Sequence, residues 1–170
     1  ISHAGCILLG LFVDEQGYSS GLFYAITYAL TTVAGFGFIL LLKNGDEAIE
    51  YINELKGFGR KNPWLAILMA GVMLSMGGIP FLVGFQAKLL VLVSAFKAGY
   101  IYTVIIGLVM SVIGLYYYLR VIKVLFFDEL TEEDNIRVVA PNRVLVLFSA
   151  NVILLALLGI YPDAILSYIF

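Results

Sequence analysis

Long apolar stretches separated by short charged segments run along this chain. The charged residues cluster at 14–15, 43–61 and 128–143, and the residues between these clusters are almost all apolar. Continuous apolar runs of this length are typical of membrane-spanning helices. We therefore predict five helices, over about residues 1–13, 21–42, 63–96, 100–127 and 142–160.

The third run is too long for one straight membrane crossing. Residues 63–96 would form a helix of about 51 Å, whereas the apolar core of a bilayer is about 30 Å thick. Gly77, Gly78 and Pro80 lie near the middle of this run, so two weak helix formers precede a residue that has no backbone N–H donor. We predict a discontinuous helix that is broken near residues 77–80. A continuous helix with a simple kink at Pro80 is the alternative.

The composition decides the class of protein. Hydrophobic residues make up 62% of the chain and charged residues 13%, whereas an average globular protein has about 25% charged residues. The mean hydropathy is +1.00. A water-soluble domain of this size could not bury so much apolar surface. The predicted fold class is an all-α membrane protein, a multi-spanning transmembrane helix bundle with one discontinuous (broken) helix, embedded in the lipid bilayer.

The sequence argues against nucleic acid, metal and cofactor binding by this chain. The net charge is -2 and no run of Lys and Arg occurs, so we expect no nucleic acid partner. One cysteine, Cys6, and one histidine, His3, cannot supply a Cys-rich or paired-His metal site. The sequence contains no phosphate-binding or dinucleotide-binding glycine motif. We therefore expect this chain to bind no metal and no cofactor of its own.

The charged loops predict an orientation. If each segment crosses once, the loops 43–63 and 128–143 share a side, and they hold more Lys and Arg than the opposite side, where Lys97 lies. The excess of basic residues predicts that these two loops are cytoplasmic. Within the first loop, residues 46–56 show an amphipathic pattern that predicts a short helix at the membrane surface, with an ordinary solvated hairpin helix as the alternative.

Lys88 is the residue most indicative of function. It lies about 12 Å along the helix from both Pro80 and Phe96, and no acidic residue occurs in the same segment. An ammonium at this depth is costly and usually faces the bundle interior or a hydrated cavity. Because desolvation disfavours the charged form, Lys88 is a candidate for proton transfer or for a buried ion pair. The alternative is a lysine that extends to the lipid headgroups.

Other polar residues are weaker candidates. His3, at the start of the first helix, can transfer protons near neutral pH, although a packed or interfacial histidine is the alternative. A polar cluster near the end of the fourth helix is explained most simply as an aromatic and basic anchor at the membrane interface. Part of a hydrated polar path is the other interpretation of this cluster. It consists of Tyr116, Tyr117, Arg120 and Lys123.

Several stretches resemble one family. Residues 1–5, 55–60, 75–80 (SMGGIP), 84–88 (GFQAK) and 114–121 (GLYYYLRV) are similar to the antiporter-like membrane subunits of respiratory complex I, and the last stretch is most similar to the N-type subunits of NADH–quinone oxidoreductase. The resemblance covers nearly the whole chain. It implies that residues 1–170 are the C-terminal five-helix portion of a larger antiporter-like subunit.

The resemblance also implies a function. Such subunits are thought to conduct protons through buried lysine, histidine and water while other subunits carry out proton-translocating NADH:quinone oxidoreductase chemistry. By this similarity Lys88 is the gate toward the outer half-channel, and His3 links the central and distal sites. The implied partners are the other membrane subunits, and FMN, iron–sulfur clusters and quinone belong to other parts of the complex. The implied location is the bacterial plasma (inner) membrane.

Two other functions stay open at this point. A subunit of a multisubunit Na+/H+ antiporter or of a membrane-bound hydrogenase would share the broken helix. A non-conducting structural membrane spacer is a third possibility, and it predicts that neutral substitutions at Lys88 leave ion pumping intact.

Overall fold

The computed structural model describes residues 2–13, 15–129, 136–162 and 167, which form a helix bundle with a small sheet at one end. Ile1, Asp14 and residues 130–135, which belong to segments discussed above, lie outside the described residues. The helices are α1 (Ser2–Phe12), α2 (Glu15–Leu40), α3 (Phe58–Lys61), α4 (Pro63–Gly77), α5 (Val83–Lys97), α6 (Ile101–Phe126) and α7 (Asn142–Ile160), the strands are β1 (Leu42–Asn44), β2 (Glu47–Ala48) and β3 (Ile136–Val138), and a 3₁₀ turn covers Ile52–Leu55.

Three helices of the described residues are long and apolar enough to cross a membrane, namely Gln16–Leu40, Ile101–Phe126 and Asn142–Ile160. The second and third agree closely with the predicted segments 100–127 and 142–160. Two shorter helices, α1 and α4, are also apolar. The predicted class, an all-α membrane protein built as a multi-spanning helix bundle, is confirmed.

The second helix begins earlier than its sequence pattern predicts. It starts at Glu15 rather than near residue 21, because α1 packs closely against its first turns. A Cβ atom built on Gly10 would lie 2.7 Å from the Cα atom of Gly21, so the absence of side chains lets the two backbones approach. Glycines that weaken an isolated helix are here required for packing between helices, and this contact outweighs their low helix propensity.

Residues 78–82 separate α4 from α5. Gly78 adopts a left-handed conformation with φ 81°, and its N–H donates to the carbonyl oxygen of Ser75 at 3.0 Å. Regular helix resumes at Val83, after the extended residue Leu82. Each helix is about 22 Å long, which is less than the thickness of a bilayer core. The break predicted near residues 77–80 thus overlaps the non-helical segment.

The predicted amphipathic helix over residues 46–56 is wrong. The chain instead turns at Gly45, which has φ 63°, and returns as β2, which pairs with β1. The strand β1 also pairs antiparallel with β3 from the second charged loop, with Lys43 opposite Arg137. Within residues 46–56, a local hairpin therefore replaces the start of the predicted helix, and Ile52–Leu55 form a 3₁₀ turn. The pairing of β1 with β3 places the two charged loops at one end of the bundle.

The hydrophobic core lies mainly among α2, α4, α5 and α7. Phe23, Phe38 and Val72 are almost fully enclosed there. By contrast, α6 buries only Val104, Val124 and Leu125. Most of its apolar side chains are exposed on the outside of the bundle, so α6 has a face suited to contact lipid or further protein.

Candidate functional site

Lys88 lies inside the bundle beside the break between α4 and α5. The residue is 9% exposed, and its Nζ atom donates a hydrogen bond to the carbonyl oxygen of Met76 at 2.9 Å. Met76 lies in the last turn of α4, where carbonyl groups have no helical N–H partner. The macrodipole also makes this end of the helix partly negative. The break therefore gives a buried cation a neutral but negatively polarised partner.

Two small residues allow the lysine to reach this carbonyl. A Cβ atom on Gly84 would overlap the carbonyl oxygen of Ser75, so only glycine lets α5 pass so close to the end of α4. A Cβ atom on Gly78 would lie 3.2 Å from the Nζ atom of Lys88. The hydroxyl oxygen of Ser75 accepts a hydrogen bond from the N–H of Gly84 at 3.2 Å, which ties the two helices together.

His3 is held by side chains from two other helices. Its Nδ1 atom lies 2.8 Å from the hydroxyl oxygen of Tyr24, and its Nε2 atom lies 2.9 Å from the hydroxyl oxygen of Tyr118. The imidazole also stacks on Tyr28, with ring centroids 4.7 Å apart. One ring thus joins α1, α2 and α6. Both nitrogens have hydroxyl partners, and a hydroxyl can donate or accept a proton.

A small cavity connects the histidine cluster with the break. Its volume is about 10 Å³, which is room for about one water molecule. The lining is rich in hydroxyl groups, so a water placed here would find several partners. The lining residues are His3, Tyr24, Thr27, Tyr28, Thr31, Ser75, Met76, Gly84 and Ala87.

A larger cavity lies on the other side of Lys88, between α5 and α6. Its volume is about 200 Å³, and Lys88 and Ser111 are the polar side chains in its lining. Gly77 and Gly78 form the wall next to the break. Lys88 therefore lies between the carbonyl end of α4 and a space large enough for several water molecules.

Four of the predicted site residues do not join this cluster. Tyr116 and Tyr117 are 66% and 62% exposed on the outer face of α6. Arg120 is also exposed, and Lys123 lies 3.7 Å from the Oδ1 atom of Asp128 with most of its side chain exposed. Their neighbour Tyr118 is the tyrosine of this run that turns inward and binds His3.

The remaining predicted residues lie at the break. Gly77 is the last residue of α4, Gly78 caps this helix next to Lys88, and Pro80 lies in the non-helical segment. Tyr24, Tyr28 and Ser75 are functional candidates that the sequence analysis missed. The spacing of Tyr24 and Tyr28, one helical turn apart, was the available signal. Among the described residues, no three His, Cys, Asp or Glu side chains gather as a metal site would require.

Comparison with known proteins identifies the family. Residues 1–114 match the family described as "NADH:quinone oxidoreductase/Mrp antiporter, TM". The chain belongs to this family. It is 44% identical to NADH-quinone oxidoreductase subunit N of Neisseria gonorrhoeae over 99% of its length, and 42% identical to the subunit N of an Azoarcus species over 98%. The chain spans 35% of the length of each of these relatives.

A solved structure shows the same fold. One chain in the structure of respiratory complex I from Thermus thermophilus with bound aureothin is similar to this chain, with a TM-score of 0.81 and 30% sequence identity. The similarity covers 97% of this chain and 37% of that one. The antiporter-like membrane fold expected from the sequence motifs is therefore shared with a complex I subunit.

Proposed function

We propose that this chain forms the C-terminal part of subunit N of a proton-translocating NADH–quinone oxidoreductase. In this proposal it conducts protons through Lys88, His3 and the cavities beside them, coupled to electron transfer in other subunits. The subunit N relatives and the resemblance to a complex I chain support the assignment to the complex.

The surroundings of Lys88 carry the proposal of proton conduction. Its ammonium group binds a neutral carbonyl, and among the described residues no carboxylate lies within ion-pair distance. Desolvation is costly for an ammonium without an anionic partner, so the neutral amine competes with the charged form at this position. The cavity of about 200 Å³ gives the amine a place to exchange protons with water.

His3 has a relay role in this proposal. A proton that enters one ring nitrogen leaves from the other, because the imidazole has two nitrogens and both have hydroxyl partners here. The cavity for one water connects this cluster with Ser75 and Met76. Protons would pass from the histidine cluster through this water toward the end of α4, where Lys88 binds.

The remaining parts of the proposal concern the complex. The partners are the other membrane subunits and the lipid of a bacterial inner membrane, and the redox cofactors belong to other subunits. The loops 43–63 and 128–143 are cytoplasmic, because their basic residues exceed in number those of the opposite end.

A Na+/H+ antiporter subunit of the same family is the second candidate function, since the family description includes Mrp antiporters. The subunit N relatives favour a complex I subunit over an antiporter subunit.

Substitution of Lys88 in the intact complex tests the proposed function. Lys88→Met keeps much of the side-chain length and removes the charge. We expect the variant complex to assemble and to lose most of its NADH-driven proton pumping, measured as acidification of inverted membrane vesicles. Lys97→Met is the matched control, because Lys97 ends the same helix but is exposed, and it should pump normally. Normal pumping by Lys88→Met would instead establish the structural spacer.

A further inference from the structure

The cavity between α5 and α6 has apolar walls and a single charged side chain. Its volume of about 200 Å³ is smaller than the about 300–1,000 Å³ of pockets that hold drug-sized molecules, so it suits one short chain. Apolar walls with a few placed polar groups are the usual composition of a small-molecule site. Here the polar side chains are Lys88 and Ser111, and the other lining residues are Gly77, Gly78, Phe85, Leu89, Leu92, Leu108, Val112 and Leu115.

The helices around Lys88 contain almost no acidic residues. The helices α1 and α4–α7 have no Asp or Glu, and α2 has Glu15 at its first position. Glu15 lies nine residues, or about 14 Å along the helix, before Tyr24 of the histidine cluster. Among the described residues, no carboxylate lies within ion-pair distance of Lys88. Its partner in this part of the chain is the neutral carbonyl of Met76.

The ammonium group of Lys88 has room for a further partner on the side of the cavity. An ammonium has three N–H donors, and the carbonyl oxygen of Met76 accepts from one of them. A Cβ atom on Gly78, which also lines the cavity, would lie 3.2 Å from Nζ, so the missing side chain leaves space beside the ammonium. Ser111 in the same lining adds a hydroxyl that can donate to an anion.

The cavity opens on the outside of the bundle. Leu89, Leu108 and Val112 in its lining are exposed, whereas Lys88 is buried. Both α5 and α6 are apolar on this side, so the opening faces the apolar part of the bilayer. A molecule dissolved in the lipid can therefore reach Lys88 from the side.

We propose that this cavity binds a lipophilic monocarboxylic acid of the fatty-acid type. Its carboxylate pairs with Lys88, and its hydrocarbon chain lies among the leucine and valine side chains of α5 and α6. The uncharged acid enters from the lipid and gives its proton to the neutral amine, so an O–H bond breaks, an N–H bond forms and no net charge enters the membrane. The bound carboxylate keeps Lys88 charged. Its effect on pumping rests on the proposed function, whereas binding does not.

Other occupants match only part of the cavity. An alcohol with the same chain fills the apolar walls but leaves the ammonium without an anion. A small inorganic anion pairs with the ammonium but leaves the apolar walls unfilled. An acidic side chain of another polypeptide has a short stem, so it also leaves most of the apolar lining uncovered. A carboxylic acid with a hydrocarbon chain matches both the charge and the walls.

Photo-crosslinking in the intact complex tests the proposal. The complex is reconstituted into phosphatidylcholine bilayers that contain octanoic acid with a diazirine on its chain. We expect crosslinks to α5 and α6 that octanoic acid displaces and octanol does not. Lys88→Met should lower crosslinking by about tenfold or more, since a hydrogen bond to a charged group contributes this much to binding. Lys97→Met is the control, because Lys97 ends the same helix but is exposed, and it should crosslink as the wild type does.

A second variant tests the apolar part of the site and keeps the cation. Ser111→Leu places a larger apolar side chain in the cavity, so it should abolish the crosslinks. Val109→Leu is its control, because Val109 is exposed on α6 outside the lining. Equal displacement by octanol and octanoic acid in the wild type, which needs no variant to assemble, would overturn the site. Unchanged crosslinking in Lys88→Met or Ser111→Leu would do the same. So would a wild type without crosslinks, the result expected if another polypeptide fills the cavity.

The rate of NADH oxidation with quinone separates this site from the proposed function. The rate is measured with an uncoupler present, so that proton transport through the lipid by the acid itself has no effect. If Lys88 is a protonation switch, octanoic acid should slow oxidation several-fold in the wild type, and octanol should not. Displaceable crosslinks without this slowing would confirm the site and contradict the switch.

Discussion

His3 and Lys88 both lie within apolar helices, but they differ in how fully their polar atoms are bound. Both nitrogens of His3 have tyrosine hydroxyl partners, and its ring stacks on a third tyrosine. Lys88 has three N–H donors and one protein acceptor, the carbonyl oxygen of Met76, among the described residues. A cavity of about 200 Å³ lies beside it.

In the proposed function, this difference corresponds to two different roles in proton movement. The histidine is held by two hydrogen bonds, so in the proposed relay a proton would pass along hydrogen bonds that already exist. The lysine can exchange its carbonyl partner for water, so its charge and position can change during a cycle. A switch requires such freedom, whereas a relay requires a fixed geometry. We therefore propose that Lys88 is the switch and His3 the relay.

The largest effect is expected from Gly84→Ala, which disturbs the surroundings of Lys88. The added methyl group would overlap the carbonyl oxygen of Ser75, so α5 must move away from the end of α4. Overpacking of this kind typically costs about 1–3 kcal/mol, and backbone groups cannot give way as a flexible side chain can. We expect a clear loss of assembled complex on native gels, together with a loss of pumping in what remains.

Gly114→Ala is the control for this substitution. Gly114 lies in the helix α6, and a Cβ atom there would meet nothing within 4 Å. The variant should assemble at least as well as the wild type, because alanine favours a helix by about 1 kcal/mol over glycine. Equal assembly of the Gly84 and Gly114 variants would show that the close contact at the break is unimportant.

His3→Ala should have a smaller effect on assembly but a clear effect on pumping. The substitution removes the ring that joins Tyr24 and Tyr118 and interrupts the proposed relay. Pumping by vesicles should fall about tenfold or more, since positioned proton-transfer groups contribute at least this much to a rate. His3→Lys, which restores a group that can carry a proton, should recover part of the activity. Normal pumping by His3→Ala would assign His3 to packing.

Tyr118→Phe should have the smallest effect and should separate Tyr118 from its neighbours. It removes the hydroxyl partner of Nε2 of His3, and because His3 is only half-buried the cost should lie at or below the low end of the about 1–3 kcal/mol of a fully buried group. We expect a lower thermal stability of the complex and a several-fold slower pumping rate. Tyr117→Phe is the matched control on the exposed face and should match the wild type. Identical behaviour of the two variants would contradict the inward position of Tyr118.

The helices that coincide with a continuous apolar run could be predicted from the sequence. The segments 100–127 and 142–160 are continuous apolar runs with clear ends, and the helices α6 and α7 follow them. The pairing of β1 with β3 was not accessible, because it joins residues almost a hundred positions apart. Once β1 has strand partners on both sides, the amphipathic pattern of the following residues no longer decides their structure.

The site residues also divide into those that the sequence could predict and those that it could not. Lys88 stands out because a charge in an apolar run is costly. Its partner is a backbone carbonyl, which has no side-chain signature in the sequence. Three consecutive tyrosines on a helix point in three directions about 100° apart, so only one of Tyr116, Tyr117 and Tyr118 can face His3. The small residue Ser111, two helical turns before Tyr118 on the same stripe, was the signal for the inward face.

The proton-pumping activity of Lys88→Arg tests the central claim most directly. Arginine keeps a positive charge near the carbonyl oxygen of Met76, but its guanidinium group does not lose its proton in proteins. If Lys88 acts as a protonation switch, the variant complex should assemble in normal amount, lose most of its proton pumping in inverted vesicles, and oxidise NADH with quinone more slowly. Wild-type pumping by Lys88→Arg would show that a fixed charge suffices and would contradict the switch.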